Sequence, residues 1–161
     1  MTVSLCALER QHVAALARVE ALCQPYPWGA RRFDEEFDCS DAIVVGAVDD
    51  SVLVGFLVLR FVADELWIFN IGTDPRRRRQ GIGDRLMERA TSTAKAMGVP
   101  LWLEVRERNA AAVKLYEKHG LVVVGRRPKY YPPLQGEALR EAALQMRTFT
   151  GGAGDVVTRS V

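Results

Sequence analysis

Residues 67–90 read WIFNIGTDPRRRRQGIGDRLMERA, and the rest of the chain is organised around this stretch. The apolar and aromatic run from Leu66 to Ile71 predicts a β-strand. Pro75 is expected to end that strand, because proline lacks the N–H group that a central strand needs. Apolar residues then recur on one face from Gly83 to about Met97, which predicts an amphipathic helix that Gly98 ends.

A strand, a basic turn with glycines and a helix form a typical anion site. The first N–H groups of a helix have no partner within it, and the helix dipole adds partial positive charge there. Gly81 and Gly83 are expected to leave room for a phosphate, and arginines can add charge-assisted hydrogen bonds. No Gly-Lys-Ser/Thr follows, so the segment is not a Walker loop, and it lacks the third glycine of a dinucleotide fingerprint. A basic surface turn is the alternative.

Residues 78–83, RRQGIG, fit the pattern Arg/Gln-x-x-Gly-x-Gly. This pattern resembles the pyrophosphate loop of the GNAT acetyltransferases, which hold the diphosphate of acetyl-coenzyme A. The resemblance to the superfamily implies a cofactor site at the start of the predicted helix.

Length and composition predict one globular domain over residues 1–149, followed by a disordered tail over residues 150–161. Hydrophobic residues make up 48% and charged residues 26% of the chain. No apolar run approaches the roughly 20 residues that a membrane span needs, and the N-terminus lacks the pattern of a signal peptide. Three cysteines without CxxC spacing predict reduced thiols in a cytoplasmic protein, and no metal site is expected.

The predicted order of elements is β-α-α-β-β-β-α-β-α-β-β, which gives a mixed α/β fold with antiparallel strands first and crossover helices later. The basic and aromatic segment from Arg126 to Pro133 is predicted to be a loop. The other predicted elements are strands at 3–7, 42–48, 52–62, 100–105, 121–125 and 141–149, and helices at 9–22, 30–37 and 110–119.

Three residues in the second half carry candidate chemistry. Glu104 lies inside the apolar strand LWLEV, where a carboxylate is costly to bury unless it is satisfied. Asn109 and Tyr116 lie seven residues apart, two turns along one face of a predicted helix. Taken singly, Glu104 could lie on an exposed face, Asn109 could be a simple N-cap, and Tyr116 could be a core aromatic residue.

Together these residues form a distinctive pattern. The run LWLEVRERNAAAVKLYEKHG, with FNIGTDPRRRRQGIG upstream and RRPKYYPP downstream, resembles the RimI branch of the GNAT acetyltransferases. The segment PYPW followed by Phe33 also resembles that branch, whose members acetylate the N-terminal alanine of a small-subunit ribosomal protein. The resemblance covers roughly residues 3–149.

The resemblance implies a role for each matching residue. Glu104 matches the general base, and Tyr116 matches the general acid that protonates the departing coenzyme A thiolate. Trp28, Tyr130 and Tyr131 are expected to border the acceptor. The residues expected to hold acetyl-coenzyme A are Ile71, Gly72 and Thr73 on a splayed strand, Arg78, Arg79, Gln80, Gly81, Ile82, Gly83 and Asp84 in the loop, and Asn109.

Two departures from the family pattern bear on these roles. Asp84 stands where the family often carries a basic or neutral residue, and an acid near the phosphates is expected to weaken cofactor binding. The loop before the paired tyrosines looks one residue longer, which suggests a different substrate pocket. In addition, the acidic residues of the segment 34–38 are expected to steer a basic peptide, unless they form a solvated helix face.

The implied reaction agrees with elementary chemistry. An N-terminal amine has a pKa of about 7.7–8.0, against about 10.4 for lysine, so it needs only modest help to lose a proton. A buried glutamate acting through water could take that proton, and N–H groups on a bulged strand could stabilise the oxyanion.

The sequence therefore predicts transfer of acetyl from acetyl-coenzyme A to the N-terminal alanine of a ribosomal protein, with no membrane or nucleic-acid partner. The alternatives are acetylation of lysine or of a small-molecule amine, and a non-catalytic acyl-coenzyme A binding module. The presence of both Glu104 and Tyr116 argues against the last.

Overall fold

A seven-stranded mixed sheet forms the centre of the computed structural model, which describes residues 2–150. The strands are β1 (Ser4–Ala7), β2 (Ala42–Asp49), β3 (Val52–Val62), β4 (Glu65–Thr73), β5 (Leu101–Arg106), β6 (Val122–Tyr131) and β7 (Glu141–Arg147). The helices are α1 (Val13–Cys23), α2 (Gly29–Glu36), α3 (Ile82–Met97) and α4 (Ala110–Lys118), with short 3-10 turns at Arg10–His12 and Pro75–Arg77.

The strands lie in the order β1-β2-β3-β4-β5-β7-β6. All neighbouring strands are antiparallel except β4 and β5, which are parallel and joined through α3. This topology confirms the predicted mixed α/β fold and the predicted order of elements. The predicted tail over residues 150–161 lies, apart from Thr150, outside the described residues.

The helices cover the two faces of the sheet with separate apolar clusters. On one face, Leu86, Met87 and Ala90 of α3 are buried against β-strand residues, as the predicted amphipathic face requires. On the other face, α1 and α2 bury Leu16 and Phe33 over β3. The site residues lie where β4 and β5 meet between these two layers.

Strands β4 and β5 pair over only two positions, Leu66 with Leu101 and Trp67 with Trp102. Beyond them the strands separate, so the edge of β4 from Ile68 to Thr73 has no strand partner on the β5 side. The register of β4 against β3 also shifts at Phe69, which forms a bulge. The result is a gap in the sheet lined by backbone groups.

The segment from Arg126 to Tyr131 is not the predicted loop, because β6 continues through it to Tyr131. It is an edge strand paired with β7 alone, and most of its side chains are exposed. The apolar alternation that marks a strand in a sequence is therefore missing. Pro128 fits because the ladder is interrupted between Arg127 and Tyr131, where Lys129 takes a φ of 52°.

Candidate active site

The predicted pyrophosphate loop leads directly into α3. Asp74 ends β4 and caps the 3-10 turn by accepting from Arg76 N, and the Arg76 guanidinium beside it lowers the pKa of Asp74 to about 2. Gly81 has a φ of 76° immediately before the helix, a conformation that favours glycine, and the space beyond its Cα is open. Within residues 2–150, the side chains of Arg78 and Arg79 make no hydrogen bond or ion pair.

Gly83 and Asp84 in the first turn of α3 contact α4. A Cβ on Gly83 would lie 3.2 Å from Leu115 Cδ2, so the small residue here serves helix packing. Asp84 Oδ1 lies 2.8 Å from both Lys118 Nζ and His119 Nε2. These contacts lower the pKa of Asp84, with Lys118 as the larger cause. Lys118 at the end of α4 is therefore a cationic partner of the carboxylate, and it offsets the negative charge that was expected to weaken phosphate binding.

A buried polar cluster, which the sequence analysis missed, fixes the bulged part of β4. Glu20 of α1 is fully buried and accepts hydrogen bonds from Asn70 Nδ2 at 2.5 Å and Gly29 N at 3.0 Å. Gln24 donates to Asn70 Oδ1 and to the Ile71 carbonyl, both at 3.0 Å. The position of Asn70 within an apolar strand was the signal in the sequence, and the cluster ties the end of α1 to the gap.

Glu104 lies on the face of β5 that points away from α3 and its apolar cluster. Leu103 and Val105 on either side of it are buried, whereas the Glu104 side chain retains 16% exposure. Its Oε1 lies 3.6 Å from Arg127 Nε of β6. The carboxylate is thus half-buried beside a cation, at the point where β5 has left β4.

Two tyrosines from the end of β6 lie close to Glu104. The Tyr130 and Tyr131 rings pack edge to face with their centroids 4.9 Å apart. Burial, followed by the charge of Glu104, raises the pKa of both hydroxyls. Both therefore stay protonated at neutral pH, so each hydroxyl can act as a hydrogen-bond donor towards the gap.

Tyr116 reaches the same region from α4. Tyr116 is 7% exposed within the apolar cluster that includes α3, and burial raises its pKa to about 12. Tyr116 is close enough to Tyr131 of the edge strand β6 to contribute, as the smallest cause, to the raised pKa of that hydroxyl. A tyrosine that stays neutral over the working pH range is suited to donate a proton.

Arg106 links the two segments that flank Glu104 on the acceptor side. Its guanidinium lies 4.6 Å from the Tyr131 ring and 5.8 Å from the Tyr26 ring. It also donates to the Pro132 carbonyl at 3.1 Å and pairs with buried Glu141. The hydroxyl of Tyr26 donates to the Pro133 carbonyl. Together these contacts form an arginine bridge between the Tyr26 segment and the segment that follows β6. The sequence analysis named neither Arg106 nor Tyr26.

The Trp28 side chain packs against α2. Its ring lies 5.4 Å from the ring of Phe33, and the guanidinium of Arg32 lies 4.1 Å above it. Its expected place beside the acceptor stays a prediction. Asn109 caps α4 by accepting from Ala112 N at 3.3 Å, and the residue is exposed.

The acidic residues of segment 34–38 are all paired with arginines. Arg10 binds Asp34 at 2.5 Å and also binds Asp38, while Arg31 binds Glu35 at 3.1 Å. Glu36 is buried and held by both nitrogens of Arg60. These ion pairs favour the alternative of a solvated helix face, and the prediction that the segment steers a basic peptide stays untested.

Within residues 2–150, no group of three His, Cys, Asp or Glu side chains is arranged to hold a metal ion. Over the same residues, no helix combines the length and apolar character needed to cross a bilayer.

Three features together define the class of this protein. They are the splayed gap between β4 and β5, the open N-terminus of α3 beside it, and a carboxylate that faces tyrosines. The chain belongs to the acetyltransferase (GNAT) family, whose model it matches over residues 13–121. It is accordingly an acetyltransferase that uses acetyl-coenzyme A, as the resemblance in the sequence implied.

The relatives of this chain include enzymes that are named for acetylation of a ribosomal protein. The chain is 33% identical over 144 residues to the [ribosomal protein bS18]-alanine N-acetyltransferase of Escherichia coli K12, covering 89% of this chain and 95% of that protein. The crystal structure of the ribosomal-protein-S18-alanine N-acetyltransferase from Escherichia coli superposes with a TM-score of 0.85 at 32% identity, over 96% of this chain and 97% of that one. Arabidopsis thaliana NAA60 in complex with acetyl-CoA shares the fold, with a TM-score of 0.82 at 17% identity over 94% of this chain and all of that one.

Proposed function

We propose that this protein transfers the acetyl group of acetyl-coenzyme A to the α-amine of the N-terminal alanine of ribosomal protein bS18. The observation that carries the proposal is the 33% identity along nearly the whole length of an enzyme with that name. The proposed reaction is cytoplasmic, because its acceptor is a ribosomal protein and the three cysteines are free thiols.

The donor is assigned to the gap and the loop that follows it. The unpaired edge of β4 at Ile71, Gly72 and Thr73 would bond the pantetheine arm and the acetyl carbonyl. N–H groups from Gly81 to Asp84 would hold the pyrophosphate, with the exposed Arg78 and Arg79 adding charge.

The proton transfers are assigned to Glu104 and Tyr116. Glu104, directly or through water, would take a proton from the acceptor ammonium, which frees the nitrogen lone pair to attack the thioester carbon. N–H groups on the β4 edge would stabilise the resulting oxyanion. When the carbon–sulfur bond breaks, the Tyr116 hydroxyl would protonate the thiolate of coenzyme A, and the second proton of the attacking nitrogen would pass to solvent or back to the tyrosinate.

A mass-spectrometric assay with synthetic peptides tests the proposed acceptor. One peptide carries the bS18 N-terminal sequence with a free alanine amine, and its control carries the same sequence with a blocked N-terminus and free lysines. We expect acetylation of the first peptide at the α-amine and none of the second. Acetylation of lysines alone would replace the proposal with lysine acetylation by the same machinery.

A comparison of cells with and without the gene extends this test to the natural acceptor. We expect the N-terminal alanine of bS18 to lose its acetyl group when the gene is deleted. Unchanged acetylation of bS18 in a strain without any second enzyme of this specificity would contradict the proposal.

A further inference from the structure

Arg127 is the cation nearest to the proposed base. Its Nε lies 3.6 Å from Glu104 Oε1, and its guanidinium carbon lies 5.7 Å from the centre of the Tyr130 ring. The Glu104 side chain is 16% exposed, whereas that of Arg127 is 52% exposed. The strand fixes the carboxylate, and the arginine has room to turn towards water.

The contact between Arg127 and Glu104 is loose for an ion pair. Charge-assisted N–H···O bonds typically measure about 2.7–2.9 Å, well below the 3.6 Å found here. By contrast, the preceding residue, Arg126, donates two hydrogen bonds to the Glu107 carboxylate, at 2.7 and 3.0 Å. Arg127 therefore loses little when it leaves the carboxylate.

We propose that Arg127 occupies the position of the acceptor's α-ammonium group in the unliganded protein, and that the incoming N-terminus displaces it. This inference rests on the proposed function. Both groups are monocations that need the same carboxylate, and two like charges beside one half-buried carboxylate repel each other. Arg127 is thus a positioning residue that competes with the acceptor for Glu104.

The other groups around Glu104 do not take this role. Tyr130 and Tyr131 on β6 are neutral, and β7 places the uncharged Gln145 opposite Glu104. On β5 itself, Arg106 is two residues further along, and it is held by Glu141 and by the ring of Tyr131. From the side of α1, the neighbouring segment contributes Tyr26, which lies over Arg106 rather than Glu104.

Removal of the competing cation should act on the binding of the acceptor. The acceptor's KM should fall, and since pairs of this exposure contribute about 0.2–1 kcal/mol, the fall should be at most about fivefold. Arg127 is not assigned to the reacting atoms, so kcat should stay close to the wild-type value. A purely structural role for Arg127 would not lower KM.

Initial rates for the wild type, Arg127→Gln and Arg126→Gln test this inference. They are measured at saturating acetyl-coenzyme A with a peptide that has a free N-terminal alanine, at low and high salt, from about pH 5.5 to 9. Arg126 is the matched control because it is adjacent on β6 and 54% exposed, and because it also pairs with a glutamate. Thermal melts establish that both variants are folded.

We expect Arg127→Gln to lower KM about two- to fivefold, more at low salt than at high salt, with kcat close to the wild-type value. Arg126→Gln should change neither quantity. Identical behaviour of the two variants, or a higher KM in Arg127→Gln, would overturn the inference while leaving the proposed function intact. A wild type that does not acetylate the peptide would instead overturn the proposed function and the inference together.

Discussion

The proposed donor half of the site is built from the backbone of one continuous stretch, whereas the proposed acceptor half is built from side chains of distant segments. On the donor side, β4, the loop at residues 74–81 and the start of α3 follow one another directly. On the acceptor side, Tyr26, Arg106 and Tyr131 come together only in the folded chain. The donor half therefore depends on local conformation and the acceptor half on arginine contacts between segments.

Mutations in the two halves are therefore expected to change different measured quantities. A change in loop conformation should affect the affinity for acetyl-coenzyme A, and a change in the arginine bridge should affect the acceptor. Only the groups in the gap, where the halves meet, should affect the chemical step itself.

The largest effect is expected from Glu104→Gln. Loss of the base should lower kcat near neutral pH by about 10²–10⁴-fold, because a positioned proton acceptor typically contributes that much. The deficit should shrink above about pH 8, where the acceptor amine is already neutral. Glu107→Gln, which removes a glutamate paired with Arg126 just past β5, is the matched control and should keep the wild-type rate. A pH-independent deficit in Glu104→Gln would assign the residue to positioning instead.

Tyr116→Phe should lower kcat by about 10²-fold, since it removes the proton donor for the thiolate. The pKa of about 12 means that the hydroxyl keeps its proton throughout the range in which the enzyme can be assayed. The deficit should therefore be flat with pH, unlike that of Glu104→Gln. Phenylalanine fills the same buried space, so the free energy of unfolding should change little. Recovery of the Tyr116→Phe rate at high pH would argue against the acid assignment.

Gly81→Val should weaken acetyl-coenzyme A binding about tenfold, as measured by calorimetry. A β-branched residue at a φ of 76° costs roughly 1–2 kcal/mol, so the loop should leave the conformation that presents its N–H groups. Gly98→Val is the control, because Gly98 has a φ of 67° at the opposite end of α3. It should lower stability to a similar extent and leave the affinity unchanged. Equal losses of affinity in both variants would point to general damage to the helix.

The smallest of these effects is expected from Arg106→Lys. Lysine keeps the charge but cannot stack on Tyr131 and bond Pro132 with the same planar group, so the acceptor's KM should rise about fivefold with kcat nearly unchanged. Arg60→Lys is the control, because Arg60 binds Glu36 and lies 5.2 Å from the ring of Phe69, outside the acceptor opening. A matching rise of KM in Arg60→Lys would deny Arg106 a specific role.

The strand and the helix of the proposed donor half could be predicted from the sequence because their signals are local. Proline after a strand and glycines at a helix start encode backbone conformation within a few residues, and the predicted strand and helix were confirmed. The edge strand β6 was missed because its strand character comes from pairing with β7 and not from its own apolar pattern.

Side-chain partners across the fold could not be predicted. The acidic segment looked free because Arg10 and Arg60, which neutralise it, lie more than twenty residues away in the chain. Arg106 and Arg127 carry no mark in the sequence that separates them from surface arginines. Glu20 did leave a signal, since it lies on the same helix face as buried Leu16, but its partner Asn70 is fifty residues away.

The most direct test of the separation between the two halves is the double variant Gly81→Val/Arg106→Lys. Its acetyl-coenzyme A affinity is measured by calorimetry, and its acceptor KM is measured at saturating acetyl-coenzyme A. We predict the affinity of Gly81→Val and the KM of Arg106→Lys, with free energies that add within about 0.5 kcal/mol. A coupling well above that value, or a loss of acetyl-coenzyme A affinity in Arg106→Lys alone, would contradict the account.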